Sequence, residues 1–125
     1  MTWCYEEESS LYSDVVLDRL VEDEAYVPAV WPLEVANALL LGERRNRISL
    51  AETLRFLALL GTFPIFVDGT NLNQAFGPVL LLGREHNLTA YDASYLELAI
   101  RLDYPLATQD DRLRTAASRA GVPLI

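Results

Sequence analysis

The sequence predicts an α/β fold: one domain in which a short, mostly parallel β-sheet is flanked by helices. Two observations point there. Helical and strand signals alternate along the chain, which is the pattern of strands joined by crossover helices. No linker, low-complexity tract or internal repeat interrupts the 125 residues, a length sufficient for a single hydrophobic core.

The first element, "SSLYSDVVLDRLVEDE" (9–24), carries Leu11, Val15, Leu17 and Val21 at roughly helical spacing, with serines available as caps. "AYVPA" (25–29) reads as a short strand. "WPLEVANALLLGERRN" (31–46) opens a helix with Pro32 near its first position and Glu34 in its first turn. "SLAETLRFLALLG" (49–61) is a helix in which Ser49 and Glu52 form a capping box and Gly61 marks the stop. "PIFVD" (64–68) reads as a buried strand. "TNLNQAFGPVLLLGREHN" (70–87) is a helix weakened by Gly77 and Pro78. "TAYDASYLELAIRLD" (89–103) is helical, "PLAT" (105–108) is a strand, "DDRLRTAASRAG" (110–121) is a last helix, and "VPLI" is a terminal edge strand.

The formal net charge is −8, and all ten basic residues are Arg. Such a chain is not built for broad attraction to nucleic acid, which depends on neutralising phosphates. An enzyme whose acids gather a divalent cation is still allowed, because the ion reverses the local field. The absence of Lys excludes a phospho-accepting receiver domain, which reads its phosphoryl group with a late Lys. No Gly-x4-Gly-Lys motif is present, so P-loop chemistry is excluded too. A single cysteine, Cys4, permits no internal disulfide, in keeping with a reducing cytoplasm. No apolar run approaches the ~20 residues of a membrane span, and no signal peptide opens the chain. The expectation is a cytoplasmic protein without a membrane partner.

Three acids fall at matching places: Glu34 after "AYVPA", Asp92 in the first turn of its helix, and Asp110 directly after "PLAT". Ligands of parallel α/β sheets bind at the carboxyl ends of the strands, where Glu34 and Asp110 are expected. Carboxylates gathered there suit Mg²⁺ or Mn²⁺, which activate water for phosphodiester cleavage. The alternative is structural. Acids at helix N-termini are favoured by the macrodipole, Thr89 and Asp92 fit a capping box, and Asp110 fits an N-cap.

"WPLEVANALLLGERRNRIS", "LTAYDASYLELAIRL" and "PLATQDDRL" together resemble the PIN-domain ribonucleases, in particular the VapC-type toxins of bacterial toxin–antitoxin pairs. The resemblance implies a PIN-like sandwich, Mg²⁺ or Mn²⁺ held by acidic residues, and endonucleolytic cleavage of RNA. It also implies a cognate antitoxin and a homodimer. By motif, Glu34, Asp92 and Asp110 match the family's catalytic and metal-binding acids. Asn37 matches its polar partner, one turn after Glu34, and Thr108 a small hydroxyl before the last acid. The family's first acid ends an N-terminal central strand, whereas "TWCYEEE" resembles the first-helix tail and loop that come after that motif. The expectation is therefore a domain spanning 1–125, short at its N-terminus, without the first central strand and its acid. Glu6, Glu7 and Glu8 match the family's acidic loop and read as a solvated run. The alternative function is an impaired PIN-like module that binds a protein partner without cleaving RNA.

Other residues read as structural. His86 sits beside Asn87 at a helix end, where a cation favours the macrodipole. Cys4, Trp3, Trp31, Tyr91 and Tyr95 read as packing or interface residues. "GERRNR" (42–47) and Arg112, Arg114 and Arg119 read either as solvated helix surface or as contacts to RNA phosphate or an acidic partner segment.

Overall fold

The computed structural model describes residues 4–5 and 23–125. The helix expected over 9–24 falls outside the described residues apart from its last two, which are not helical, and the Glu6–Glu8 run lies outside them entirely. The described chain is α/β with parallel strand pairing throughout. β1 (Cys4–Tyr5) pairs with β4 (Leu106–Ala107), and β2 (Ala25–Pro28) pairs with β3 (Ile65–Asp68). β1 also lies beside β2, so the two pairs meet at β1. The terminal segment adds a single parallel bridge, Leu124 to Leu106, sealed by Leu106 N–H donating to Pro123 O at 2.8 Å.

Cys4–Tyr5, expected as part of a helix tail and loop, is instead a two-residue strand paired with β4, with Cys4 opposite Leu106 and Tyr5 opposite Ala107. Two paired residues give no periodicity to read, so the strand is invisible as a sequence pattern.

The helices are α1 (Trp31–Arg44), α2 (Leu50–Leu60), α3 (Leu72–Gln74), α4 (Leu80–His86), α5 (Ala90–Leu102) and α6 (Asp111–Arg119). The expected capping box of α2 forms: Ser49 Oγ accepts from Glu52 N at 3.1 Å, and Glu52 Oε1 accepts from Ser49 N at 3.2 Å. Between α3 and α4 the chain does not break at Pro78. It widens into a π-helical turn, Ala75–Val79, that keeps the helix continuous. Proline lacks the N–H and crowds the carbonyl four residues back, and the wider turn relieves both faults. Gly83 then lets α4 approach α5, since a Cβ there would stand 3.2 Å from Leu88 O.

The core is built around α5. Ala93, Tyr95, Leu96, Leu98 and Ala99 are buried, against Val27, Trp31, Leu106, Leu113, Ala116 and Ala117. A helix buried on nearly every face must be apolar nearly all round, which explains its weak sequence amphipathicity. β3 is not the buried strand expected. It pairs only with β2 among the described residues, and Phe66 and Val67 are half-exposed at that edge. α1 and α2 likewise leave Leu33, Leu40, Leu54 and Leu57 exposed, so their apolar faces are not closed by the described residues.

Leu96→Ala is expected to cost about 2–5 kcal/mol in urea denaturation, because it empties a fully buried site. Leu54→Ala, on the open face of α2, is expected to stay within about 0.5 kcal/mol of the parent.

Candidate functional site

The acids singled out by sequence are delivered by three different elements. Glu34 lies in the first turn of α1, a few residues beyond the carboxyl end of β2. Asp92 lies in the first turn of α5, and Asp110 is the N-cap of α6 just beyond β4. Thr89 Oγ1 accepts from Asp92 N at 3.1 Å, whereas the reciprocal carboxylate-to-backbone bond of a full capping box does not form. The Asp92 carboxylate is thus not consumed by the box. Asp110 does cap its helix, its Oδ1 accepting from Leu113 N at 2.9 Å. That bond occupies one oxygen, and the carboxylate retains further lone pairs.

Asp92 and Asp110 lie close enough for their charges to interact. Burial raises the Asp92 carboxyl above its ordinary value near 3.8, the Asp110 charge pushes it further up, and the hydrogen bond from Thr89 pulls it partly back. Two carboxylates brought together in partial burial oppose each other's ionisation, and a cation between them removes the conflict.

Glu34 reaches the same region by a different route. Its Oε1 accepts a hydrogen bond from the Tyr95 hydroxyl. Tyr95 is buried and stands three residues after Asp92 on α5, so Asp92 and Tyr95 share a helix face. Among the described residues, no three His, Cys, Asp or Glu side chains come together as a metal-binding group. The structure therefore puts Asp92 and Asp110 within electrostatic reach and ties Glu34 to α5, without making a three-carboxylate cage among the described residues.

Asn37 is exposed one turn after Glu34. Thr108 is wholly buried, so it does not face solvent. Its Oγ1 accepts from Asp110 N at 3.1 Å and its carbonyl accepts from Arg114 Nη1 at 2.9 Å, which fixes the start of α6. Thr108 is a residue that positions Asp110.

Two participants escape a reading of the sequence. Tyr95 reads there as packing, and its spacing from Asp92 is the available signal. Asp68, at the carboxyl end of β3, is the other. Arg101 Nη2 donates to it at 2.6 Å, while Arg101 Nε donates to the buried Glu97 at 2.8 Å. The Glu97–Arg101 spacing of four is a helical ion pair legible in sequence. The guanidinium pairs with both acids, and they in turn hold it firmly protonated.

No family model matches the chain, and no curated protein does. The crystal structure of PAE2754 from Pyrobaculum aerophilum is similar to it, with a TM-score of 0.69 and 25% sequence identity, covering 92% of this chain and 83% of that one. The α/β fold is shared. Among the described residues no helix is long and apolar enough to cross a membrane.

Mg²⁺ is commonly held by one or two carboxylates together with several waters, so Asp92 and Asp110 are the residues that could hold it.

The pH response has a definite sign. Without divalent cation, the folded-state pKa of Asp92 lies above its unfolded value. The fold therefore binds the proton more tightly, and Asp92 weakens the fold as pH rises through its folded pKa. Its unfavourable contribution is absent below the ordinary value near 3.8. In EDTA, the urea midpoint of the parent minus that of Asp92→Asn is expected to fall as pH rises through this window. Mn²⁺ is expected to reverse the trend, stabilising the parent more at pH ~7 than at pH ~4, because it binds the ionised pair.

Proposed function

We propose that this chain is a Mg²⁺- or Mn²⁺-dependent endoribonuclease of the toxin type, acting in the cytoplasm and restrained by an antitoxin. The observation that carries the reading is the half-buried Asp92–Asp110 pair at two helix N-termini, with Glu34 tied to the same helix through Tyr95. The resemblance of the three motif stretches to PIN-domain ribonucleases names the substrate class, RNA.

On this reading, Asp92 and Asp110 would hold the cation, and Glu34 would join them directly or through water. A bound divalent ion supplies Lewis acidity and an activated water for attack on a phosphodiester. The side chains themselves have simpler tasks. Tyr95 holds Glu34 at a fixed rotamer, Thr108 and Arg114 hold the turn that presents Asp110, and Thr89 aligns the first turn of α5. Asn37, exposed beside Glu34, would bind substrate oxygen.

The exposed leucines of α1 and α2 support the protein-partner part of the proposal. Apolar faces of this extent mark surfaces that associate, either with the antitoxin or in a homodimer. They also support a second reading, a partner-binding module without cleavage.

Cleavage of single-stranded RNA with Mn²⁺ separates the two. Asp92→Asn and Asp110→Asn are each expected to reduce the rate by about a hundredfold or more, beyond the ~10–100-fold typical of an outer-shell change. Asn is as good an N-cap as Asp, so Asp110→Asn is expected to keep the parent's circular dichroism. Cleavage undiminished in both variants would remove the site, and a parent that neither takes up Mn²⁺ by calorimetry nor cleaves would leave the binding module.

A further inference from the structure

A surface cavity of about 280 Å³ lies between the end of α4 and α6, lined by His86, Asn87, Asp111, Arg112, Thr115, Ala116 and Arg119. It stands apart from the acids in chemistry yet shares a helix with them, since Asp111 is the residue after the N-cap Asp110. Arg112, Thr115 and Arg119 are spaced three and four apart, so they form one stripe along α6, about 10 Å long at ~1.5 Å per residue. The flank of the helix that carries Leu113 and Ala117 is buried in the core and fixes how that stripe is presented.

Two arginines of the cavity lack partners among the described residues, and His86 has no hydrogen bond there. Neither Arg112 nor Arg119 has a hydrogen bond or ion pair there, in contrast to Arg101 and Arg114, which are engaged. The His86 side chain is only 8% exposed, and its Nε2 comes no nearer to a carboxylate than 3.9 Å, from Glu85, which is beyond hydrogen-bond distance. Imidazole nitrogens this well buried ordinarily have a hydrogen-bonding partner. The left-handed backbone at Asn87 ends α4 at the wall of the cavity.

We infer that this cavity binds a backbone phosphate of the RNA substrate, with Arg112 and Arg119 as the cationic contacts and His86 and Thr115 as hydrogen-bond donors. The inference rests on the ribonuclease reading. Two guanidiniums face the cavity, with the Asp111 carboxylate in its lining and Glu85 3.9 Å from His86 Nε2 at its edge. Guanidinium pairs are well matched to phosphate oxygens. The cavity shares α6 with Asp110, the residue before its lining residue Asp111.

The test is fluorescence anisotropy of a labelled single-stranded oligoribonucleotide in EDTA, where nothing is cut, over a range of salt. Arg112→Gln/Arg119→Gln is expected to weaken binding about tenfold or more at ~0.1 M salt and to reduce the salt slope by about 1.4, two single-strand phosphate contacts. Arg112→Lys/Arg119→Lys is expected to retain the slope, which guards against loss of fold. Arg55→Gln, exposed on α2 and outside the cavity lining, is expected to change neither. Equal losses in the α6 and Arg55 variants, or an unchanged slope in Arg112→Gln/Arg119→Gln, would overturn the inference. If Asp92→Asn abolishes Mn²⁺-dependent cleavage while the Gln variant binds RNA like the parent, the cavity inference falls and the ribonuclease reading stands. A parent that neither binds nor cuts RNA overturns both.

Discussion

Burial of α5 is the constraint on which the rest of the molecule depends. Its side chains from Ala93 to Ala99 are enclosed by β2, β4, the start of α1 and the inner face of α6. Because the helix is gripped on nearly all sides, its rotation and axial position are fixed. Every polar group it carries is then placed with little freedom. Asp92 is delivered at one end, Tyr95 in the middle and the Glu97–Arg101 pair towards the other end. A polar group set on so constrained a helix is either satisfied locally or kept for another purpose. Tyr95 and Glu97 are satisfied by Glu34 and Arg101, whereas Asp92 lies within electrostatic reach of another acid.

That contrast separates structural acids from candidate functional ones better than position does. Asp68 and Asp110 both sit beyond or at the carboxyl ends of strands, where sheet geometry favours ligands. Asp68 has Arg101 at 2.6 Å and is paired by the protein itself. Asp110 commits one oxygen to its helix and lies within electrostatic reach of Asp92, so the fold leaves a local excess of negative charge. Capping and cation binding are compatible at these residues, since a carboxylate has more acceptor positions than one cap consumes.

How much of this is legible in the sequence varies with the kind of signal. The α/β alternation, the Ser49–Glu52 box and the N-cap at Asp110 are readable because each depends on contacts within a few residues. β1 is not, because two residues acquire strand character only from β4, which is distant in the chain. The exposure of β3 is not, because "PIFVD" has the composition of a central strand and only its place at the edge decides its burial. The π-helical turn shows a subtler limit: Pro78 signals trouble in the helix, but not that widening the turn resolves it. Among site residues, the three acids are found by their position after strands or at helix starts. Tyr95 is hidden because an aromatic residue in an apolar helix reads as packing, and its hydroxyl contact with Glu34 spans 61 residues.

The acidity of the whole chain bears on the proposed substrate less than it first suggests. A net charge of −8 opposes RNA at long range. Yet the Debye length is about 8 Å at physiological ionic strength, so charges beyond that distance are largely screened. A strand already at the surface responds chiefly to the groups it touches. Along α6 those are Arg112 and Arg119, which have no partner within the described chain, on the helix that Asp110 caps. An acidic protein with unpaired arginines confined to one helix would reject nucleic acid over most of its surface and accept it along that helix. Under that arrangement the unfavourable net charge suppresses unproductive binding elsewhere, and specificity for a single track comes from the same charge balance that lowers general affinity.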